Sequence, residues 1–328
     1  MILANDTSSF DVVIVGLGPV GATLANILGQ YAINTLVLEK EAGAYHLPRA
    51  VAFDDEVMRI FQSIGLSKEI NKIVSTGADL HFLDGDGNIL VDWVRPKKIS
   101  SNGWFVNNRF HQPELEKILR KGLKRFGCVH VELQYEVVGL FEVEDGVTIN
   151  ICDLRTGNSE TVKAAYVIGC DGARSFTRTN IKSEIDDLGF HEPWLVVDLL
   201  LREPEQNSIG NSYHYCDPER SATHVFLGAK RKRWEFRLNP GETPEEIIRP
   251  ENVWRLLSKW IGPDKAKLER AVVYTFHASI AKLWRRGRLM IAGDAAHQTP
   301  PFMGQGMCSG IRDVANIGWK LNSVIRGG

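Results

Sequence analysis

The sequence of 328 residues lacks long apolar runs and any marked excess of one charge. No segment approaches the roughly 20 consecutive apolar residues that a membrane-spanning helix needs, so we expect no membrane partner. The net charge of −1 argues against nucleic acid as a partner, and the basic clusters at 230–233 and 285–288 are interpreted as solvated faces. The first ten residues have neither a basic region nor a long apolar core, so we expect no signal peptide.

Cysteine is scarce and has no pairing pattern. The five cysteines are scattered, odd in number and never spaced as C-x-x-C, which excludes a zinc ribbon by pattern. We therefore expect reduced thiols and a cytoplasmic location. His297 has no second histidine or carboxylate at metal-ligand spacing, so we predict no metal site and interpret this histidine as a packing residue.

What the sequence does contain is a unit typical of dinucleotide binding near its N-terminus. Its parts, in chain order, are an apolar strand at 10–15, a G-x-G-x-x-G turn at 16–21, a helix at 22–30, a strand at 35–38 and Glu39. A lone glycine pattern of this kind is often only a turn. The two strands, the helix and the terminal acid together indicate a βαβ nucleotide-binding unit.

Each residue type in this unit has a physical reason. Gly16 lets the chain turn sharply, Gly18 lets backbone N–H groups approach a pyrophosphate, and Gly21 lets the helix pack close to the strand. The helix N-terminus favours negative charge. Glu39 can accept hydrogen bonds from a ribose 2′-hydroxyl and would repel a 2′-phosphate, which leaves FAD and NAD open. The residues of this unit expected to contact the cofactor are Gly16, Gly18, Pro19, Val20, Gly21, Glu39 and Lys40.

The rest of the chain alternates between helix-rich and strand-rich stretches. We predict helices at 54–63, 113–126, 251–260 and 307–325, with Asp54 or Asp55 as the cap of the first. Residues 78–94 are predicted to form a hairpin around Asp84-Gly85-Asp86-Gly87. Further strands are predicted at 128–151, 165–168, 194–202, 211–216, 222–229, 233–238, 271–278 and 288–293. The fold class is therefore α/β, with a mostly antiparallel strand-rich domain inserted into a Rossmann-like domain.

Three motifs stand at distances that together resemble the class A FAD-dependent aromatic hydroxylases. They are GLGPVG at 16–21, CDGARS at 170–175 and AGDAAHQTPPFMGQGM at 292–307, and further similar stretches such as PRAVAFDDE at 48–56 extend over nearly the whole chain. The resemblance implies an FAD-binding domain made of residues 1–78, 103–184 and 279–328, and a substrate-binding β-sheet domain made of residues 79–102 and 185–278. The family continues beyond the last residue here, with more of the substrate domain and a C-terminal domain.

The resemblance also implies further FAD contacts. These involve Arg49, Gln112, Asp171, Gly293, Asp294, Pro301, Gly304, Gln305, Gly306 and Met307. Asp294 would hold the ribityl hydroxyls, and the N-terminus of the final helix would face the flavin N1–C2=O edge. Structural alternatives remain for the others: a turn at Asp171, a surface role for Arg49 and a helix cap at Gln112. An N-capping role is likewise the alternative for Asp294.

The activity implied is NAD(P)H- and O2-dependent hydroxylation of a phenolic acid ortho to the phenol, through a flavin C4a-hydroperoxide. The backbone of Pro300 and Pro301 is the candidate contact to the phenol, and Tyr213, His214 and Tyr215 are candidates on the substrate side, above all the two tyrosines. The alternatives are another phenol or a polyketide as substrate, or a flavin-binding protein without turnover. A homodimer is left open.

One position departs from the family pattern. The residue after Met307 is often asparagine in the family, where it hydrogen-bonds the flavin, but here it is Cys308. A thiol is a weaker hydrogen-bond donor, so we expect the contact to the flavin to differ here.

Overall fold

The computed structural model describes residues 9–44, 49–205 and 210–328. Residues 1–8, Leu47, and Pro48 at the start of the PRAVAFDDE stretch lie outside the described residues. The helices are α1 Pro19–Gln30, α2 Asp55–Ser63, α3 Ser67–Ile70, α4 Gln112–Leu123, α5 Phe176–Asn180, α6 Pro244–Ile247, α7 Pro250–Leu257 and α8 Gly306–Ile325.

The strands are β1 Ser9–Val15, β2 Thr35–Glu39, β3 Ala52–Phe53, β4 Ser75–Thr76, β5 Leu80–Leu83, β6 Ile89–Trp93, β7 Asn108–Arg109, β8 Val129–Leu133, β9 Tyr135–Val143, β10 Gly146–Asp153, β11 Ser159–Gly169, β12 Ile185–Leu201, β13 Ser212–Tyr215, β14 Ala222–Phe226, β15 Arg231–Arg237, β16 Ala266–Ala281, β17 Arg285–Arg286, β18 Leu289–Ile291 and β19 His297–Gln298. They form two sheets of eight strands and one small sheet of three. The small sheet is β3-β7-β4.

The first large sheet has a parallel centre, in the order β18-β11-β1-β2-β8, and continues through β11 into the antiparallel strands β10 and β9. Both faces of β1 are covered. Val12 and Ile14 pack with α1, α2, α4 and α8, whereas Val13 packs against β9 and β10. A strand covered on both faces shows a continuous apolar run rather than alternation, which is the pattern of residues 10–15.

The second large sheet is mostly antiparallel, in the order β19-β16-β12-β15-β14-β13-β5-β6, and only β13 and β5 run parallel. Residues alternate between its two faces. Leu195, Val197 and Trp234 form a core with Val253 and Leu257 of α7 on one face. The opposite face turns towards the first sheet. The predicted fold class is thus confirmed, while the residue boundaries of the two domains stay a prediction.

Most predicted elements are present, with shifted ends. The predicted hairpin is formed by β5 and β6, and the Asp84 carboxylate accepts hydrogen bonds from the backbone of Asp86 and Asn88 in the turn. The strand predicted at 271–278 begins at Ala266 instead, because the charged residues of its first half occupy a long antiparallel pairing with β12. The small sheet was not predicted, since strands of two residues have no periodicity.

Helix α8 packs closely against the first sheet and α1. A Cβ atom at Gly310 would lie 2.7 Å from Val20, and one at Gly318 would lie 2.5 Å from Ile27. Arg312 on the same helix donates hydrogen bonds to Asp54 and, at 2.5 Å, to Glu56, next to α2. The small residues set the distance between α8 and α1, and the arginine fixes α8 against α2.

Two composition-based expectations can be compared with the structure. All five cysteines are free thiols in the structure. Within the described ranges, none of the helices combines the length and the apolar character that a bilayer crossing requires.

The first prediction concerns Asp54. Its carboxylate caps α2 by accepting a hydrogen bond from Val57 N at 3.0 Å and also pairs with Arg312. Loss of such a cap costs about 0.5–2 kcal/mol, so Asp54→Ala should lower the free energy of unfolding by about 1–3 kcal/mol once the partly buried ion pair is included. Urea denaturation followed by circular dichroism measures this change. Glu56→Ala is the control, because it removes only the exposed partner of Arg312, and an equal loss in both variants would contradict the capping role.

Candidate functional site

A cavity of about 610 Å³ has walls from both large sheets. It collects most of the residues that the sequence analysis proposed as cofactor contacts. Those on its lining are Gly16, Gly18, Pro19, Val20, Glu39, Lys40, Arg49, Gln112, Asp171, Asp294, Pro301, Gly304, Gln305, Gly306 and Met307. Gly21, Gly293 and Pro300 are not on the lining. Whether these residues contact a cofactor stays a prediction, but the fold brings them around one volume.

The glycines of the turn between β1 and α1 are of two kinds, those that allow close packing and one that borders open space. Gly16 has φ +100°, and a Cβ atom there would lie 2.5 Å from the Cys170 carbonyl oxygen. A Cβ atom at Gly21 would lie 2.0 Å from the Gly16 carbonyl oxygen. At Gly18, by contrast, an added Cβ atom would meet nothing within 4 Å in the described part of the chain. Gly16 and Gly21 therefore serve packing, while Gly18 borders the open cavity.

The end of β2 carries Glu39 to the cavity. Its carboxylate accepts hydrogen bonds from Leu17 N at 2.8 Å and from Glu41 N at 2.9 Å. These bonds link the acid to the glycine turn and hold it at the edge where a ribose was predicted. Helix α1 begins at Pro19, and among the described residues no side chain caps its N-terminus.

Gln112 organises the loop on the other side of the cavity. Its side-chain oxygen accepts hydrogen bonds from Arg49 N at 2.9 Å and Ala50 N at 2.7 Å, and its amide donates to Glu116 at 2.8 Å. Glu116 is buried, which raises the pKa of its carboxyl, and it lies 3.5 Å from Arg120. Gln112 is thus more than a helix cap: it fixes the backbone that carries Arg49. The sequence analysis missed Glu116 and Arg120, although the i,i+4 spacing of Gln112, Glu116 and Arg120 on α4 is the signal that could have found them.

The Asp171 carboxylate is used inside its own loop. It accepts hydrogen bonds from Ser175 Oγ at 2.5 Å and from Thr177 N at 2.9 Å, so the turn interpretation describes its contacts. Arg178 then donates to the carbonyl oxygens of Ala173 and Ala295, at 2.7 and 3.0 Å. This arginine, which the sequence analysis missed, ties the Asp171 loop to the Asp294 loop.

Asp294 lies in a short 3₁₀ turn, Gly293–Ala295. Asp294 lines the cavity and its side chain is accessible there, while desolvation by the surrounding protein raises the pKa of its carboxyl. Among the residues that the structure describes, no hydrogen-bond donor to this carboxylate is found, unlike at Asp171 or Glu39. An acid without a protein partner at a cavity wall is available to a ligand.

His297 does more than pack. Its Nε2 atom lies 2.7 Å from the Asp313 carboxylate on α8, which also accepts a hydrogen bond from Gly293 N at 2.9 Å. The ring stacks on Trp284 at 5.4 Å. The interpretation of His297 as a packing residue is therefore incomplete, because the fold also brings the Asp313 carboxylate to its ring. No metal-binding cluster is found in the described ranges.

Helix α8 begins at the cavity, after a left-handed Gly304 with φ +66°. In the part of the chain that the structure describes, no side chain caps its N-terminus. Cys308 points away: it is fully buried, donates to the Gly304 carbonyl oxygen at 3.7 Å, and burial raises the pKa of its thiol to about 12. Cys308 is therefore not among the described residues that line the cavity.

The second sheet presents alternate residues of β13 to two different cavities. His214 lines the first cavity, with its Nδ1 atom 2.9 Å from Thr223 Oγ1, and burial lowers its pKa. Tyr213 and Tyr215 line a second cavity of about 710 Å³ on the opposite face, with Trp234. The geometry therefore does not support these two tyrosines as substrate contacts beside the predicted flavin site, and His214 is the member of the group on the correct face.

Charged residues are concentrated on the same face of the second sheet. Asp198 is buried between two arginines: Arg233 donates to it at 2.8 Å and Arg270 lies 2.6 Å from it. Arg233 also donates to the Arg49 carbonyl oxygen at 2.7 Å. Burial raises the pKa of the neighbouring Glu235. This cluster joins the second sheet to the loop held by Gln112, which links the two walls of the cavity.

Known proteins share this sequence and architecture. The chain is 37% identical over 318 residues to a probable NADH-specific resorcinol 4-hydroxylase of Rhodococcus jostii (strain RHA1), covering 97% of this chain and 59% of that protein. It is 38% identical over 324 residues to a 3-(3-hydroxy-phenyl)propionate/3-hydroxycinnamic acid hydroxylase of Mycobacterium sp. (strain JLS), covering 98% of this chain and 56% of that one. The chain thus spans less than two thirds of the length of these relatives.

A solved structure agrees with the fold. The crystal structure of p-nitrophenol 4-monooxygenase PnpA from Pseudomonas putida DLL-E4 superposes with a TM-score of 0.87 at 26% identity, covering 98% of this chain and 81% of that one. The resemblance to FAD-dependent aromatic hydroxylases is confirmed. A sequence model described as the FAD binding domain matches residues 9–328, and the chain belongs to this family.

Proposed function

We propose that the chain binds FAD in the cavity between the two sheets and uses NAD(P)H and O2 to hydroxylate a phenolic aromatic acid. 3-(3-Hydroxyphenyl)propionate, hydroxylated ortho to the phenol, is the specific substrate proposed. The observation that carries the proposal is the convergence of two uncapped helix N-termini and the unpartnered Asp294 carboxylate on one cavity. The names of the relatives support the substrate class.

The residues present fit the chemistry of FAD. Space is open at Gly18, where a pyrophosphate would approach the backbone, and the α1 N-terminus favours its charge. Glu39 would accept hydrogen bonds from the adenosine ribose, and Asp294 from the ribityl hydroxyls. The α8 N-terminus would stabilise negative charge at the N1–C2=O edge. When bound, the flavin would supply hydride acceptance from NAD(P)H and activation of O2.

The chain's own residues would bind and orient the phenol. His214 is held by Thr223 on the cavity wall, and a hydrogen bond to the Phe302 backbone connects it with the 301–303 turn. Burial lowers the pKa of His214, which favours the neutral ring. The backbone carbonyl of Pro301, whose residue lines the cavity, is a second candidate contact to the phenol.

Resorcinol or a related neutral phenol is the second candidate substrate, favoured by the similarity to the NADH-specific relative. Purified protein incubated with NADH and a panel of phenols separates the candidates. We expect faster oxidation of NADH with 3-(3-hydroxyphenyl)propionate, matched by a catechol product in mass spectrometry. Yellow protein that shows no phenol-stimulated NADH oxidation would contradict turnover by this chain and leave a flavin-binding protein. A cytoplasmic location is also proposed, in keeping with the free thiols.

Asp294 provides a test of cofactor binding. Asp294→Asn removes the charge at the cavity wall and should weaken FAD binding about 10- to 100-fold, the range for losing hydrogen bonds to a charged group. Titration of the FAD-free protein, followed by flavin fluorescence, measures the dissociation constant. Asp187→Asn is the control, since Asp187 is an exposed carboxylate away from the cavity lining. Unchanged FAD affinity in Asp294→Asn would refute the assigned contact.

Substitutions at Gly21 and Gly18 are expected to affect different properties, the stability of the fold and the binding of FAD. Gly21→Ala should lower the free energy of unfolding by about 1–3 kcal/mol or more, because the new Cβ atom meets the Gly16 carbonyl. Gly18→Ala should change unfolding by less than about 1 kcal/mol, yet weaken FAD binding, because the methyl group occupies the pyrophosphate approach. Denaturation of the FAD-free variants and FAD titration of Gly18→Ala measure the two effects. If Gly18→Ala bound FAD as the parent chain does, the pyrophosphate would not lie over this turn.

A further inference from the structure

Arg109 is a cation that faces the cavity from the small sheet. It lies on β7, paired with Ala52 of β3, and lines the cavity. One terminal nitrogen donates to Ser212 Oγ on β13 at 3.1 Å. Its Nε atom is buried and has no hydrogen-bond partner among the described residues. The guanidinium therefore retains donors that the described protein does not use.

No carboxylate of residues 9–44, 49–205 or 210–328 forms an ion pair with Arg109. Other arginines near the cavity do have acidic partners: Arg233 pairs with Asp198, and Arg312 pairs with Asp54. Burial and the charge of Arg95 lower the pKa of Arg109 to about 10, so it still carries its proton at neutral pH. Buried charges are normally paired, and the group that pairs with a guanidinium cation is an anion.

We infer that Arg109 binds the carboxylate of an acidic aromatic substrate. This inference rests on the proposed function and names the group that selects acids over neutral phenols. A guanidinium presents parallel N–H donors that match a carboxylate. The nearby Arg95, which stacks on Trp93 at 4.1 Å, adds positive charge on the same side.

The position of Arg109 favours a substrate anion over the FAD phosphates. The proposed phosphate site lies at the Gly16–Gly18 turn, at the carboxyl end of β1. Arg109 instead contacts Ser212, adjacent in sequence to Tyr213 and two residues before His214 on the second sheet. Its charge lowers the pKa of His214, so both groups act on the same part of the cavity. Arg109 would hold the acid end of the substrate while His214 faces its phenol.

Binding of two ligands to the FAD-loaded protein tests this assignment without requiring turnover. Each ligand is titrated while the perturbation of the flavin absorption spectrum is recorded: 3-(3-hydroxyphenyl)propionate as the acid and resorcinol as the neutral phenol. Arg109→Gln should raise the dissociation constant of the acid about 10- to 100-fold and change that of resorcinol less than about twofold. Arg109→Lys, which keeps the charge but loses the paired donors, should fall between.

A control variant and the binding of both ligands to each Arg109 variant decide whether the assignment holds. Arg231→Gln removes an arginine of the second large sheet that pairs with Glu269 outside the cavity lining, and it should bind both ligands as the parent does. Equal weakening of both ligands in Arg109→Gln and Arg109→Lys would overturn the assignment. So would an Arg109→Gln protein that binds FAD more weakly but, once saturated with FAD, binds the acid as the parent does. If the parent binds the acid but no phenol stimulates NADH oxidation, the proposed function fails while the carboxylate site stands.

Discussion

The close contact between the β1–α1 turn and the end of β11 is the constraint on which the site depends. Gly16 and Gly21 allow backbone to approach backbone there, with the Cys170 carbonyl against Gly16. Because any side chain at these two glycines would meet a carbonyl, a larger residue at either position would force the turn away from its place against the sheet. The α1 N-terminus is thereby placed at the cavity. Gly310 repeats this device on α8, next to Val20 and Gly293, so both helix ends are fixed by the same packing.

Side chains alternate between the two faces of the second sheet, so its strands contribute both to an apolar core and to the cavity wall. Val197 and Trp234 build a core with α7 on one face, while Asp198 and Arg233 meet on the other. Adjacent residues of a strand thus belong to an apolar core and to a charged cavity wall. The same rule puts His214 and its tyrosine neighbours on opposite sides. A shift of one residue in register would exchange these faces, so the register of this sheet decides which side chains reach the cavity.

Local patterns were enough to predict the βαβ unit, the hairpin and the loop that carries Asp294, because their determinants lie within a few residues. The phase of β13 could not be predicted, since both of its faces are covered and its sequence shows no contrast. Asp313, the partner of His297, was also out of reach, because it is an ordinary helix residue until the fold brings α8 to the 293–298 segment. Glu116, by contrast, lies one helical turn from Gln112 on α4.

The balance of charge in the cavity explains why an arginine can remain without an acidic partner. Asp198 is already shared by Arg233 and Arg270. Burial raises the pKa of Glu235, which favours its neutral form. Within the described ranges, none of the acids on this wall forms an ion pair with Arg109. Filling that place with a protein carboxylate would stabilise the empty cavity, but it would also make an acidic ligand compete with a permanent internal partner. Leaving the cation unpaired costs stability in the free protein and transfers that interaction to the ligand, which is how a cavity distinguishes an aromatic acid from a neutral ring of the same size.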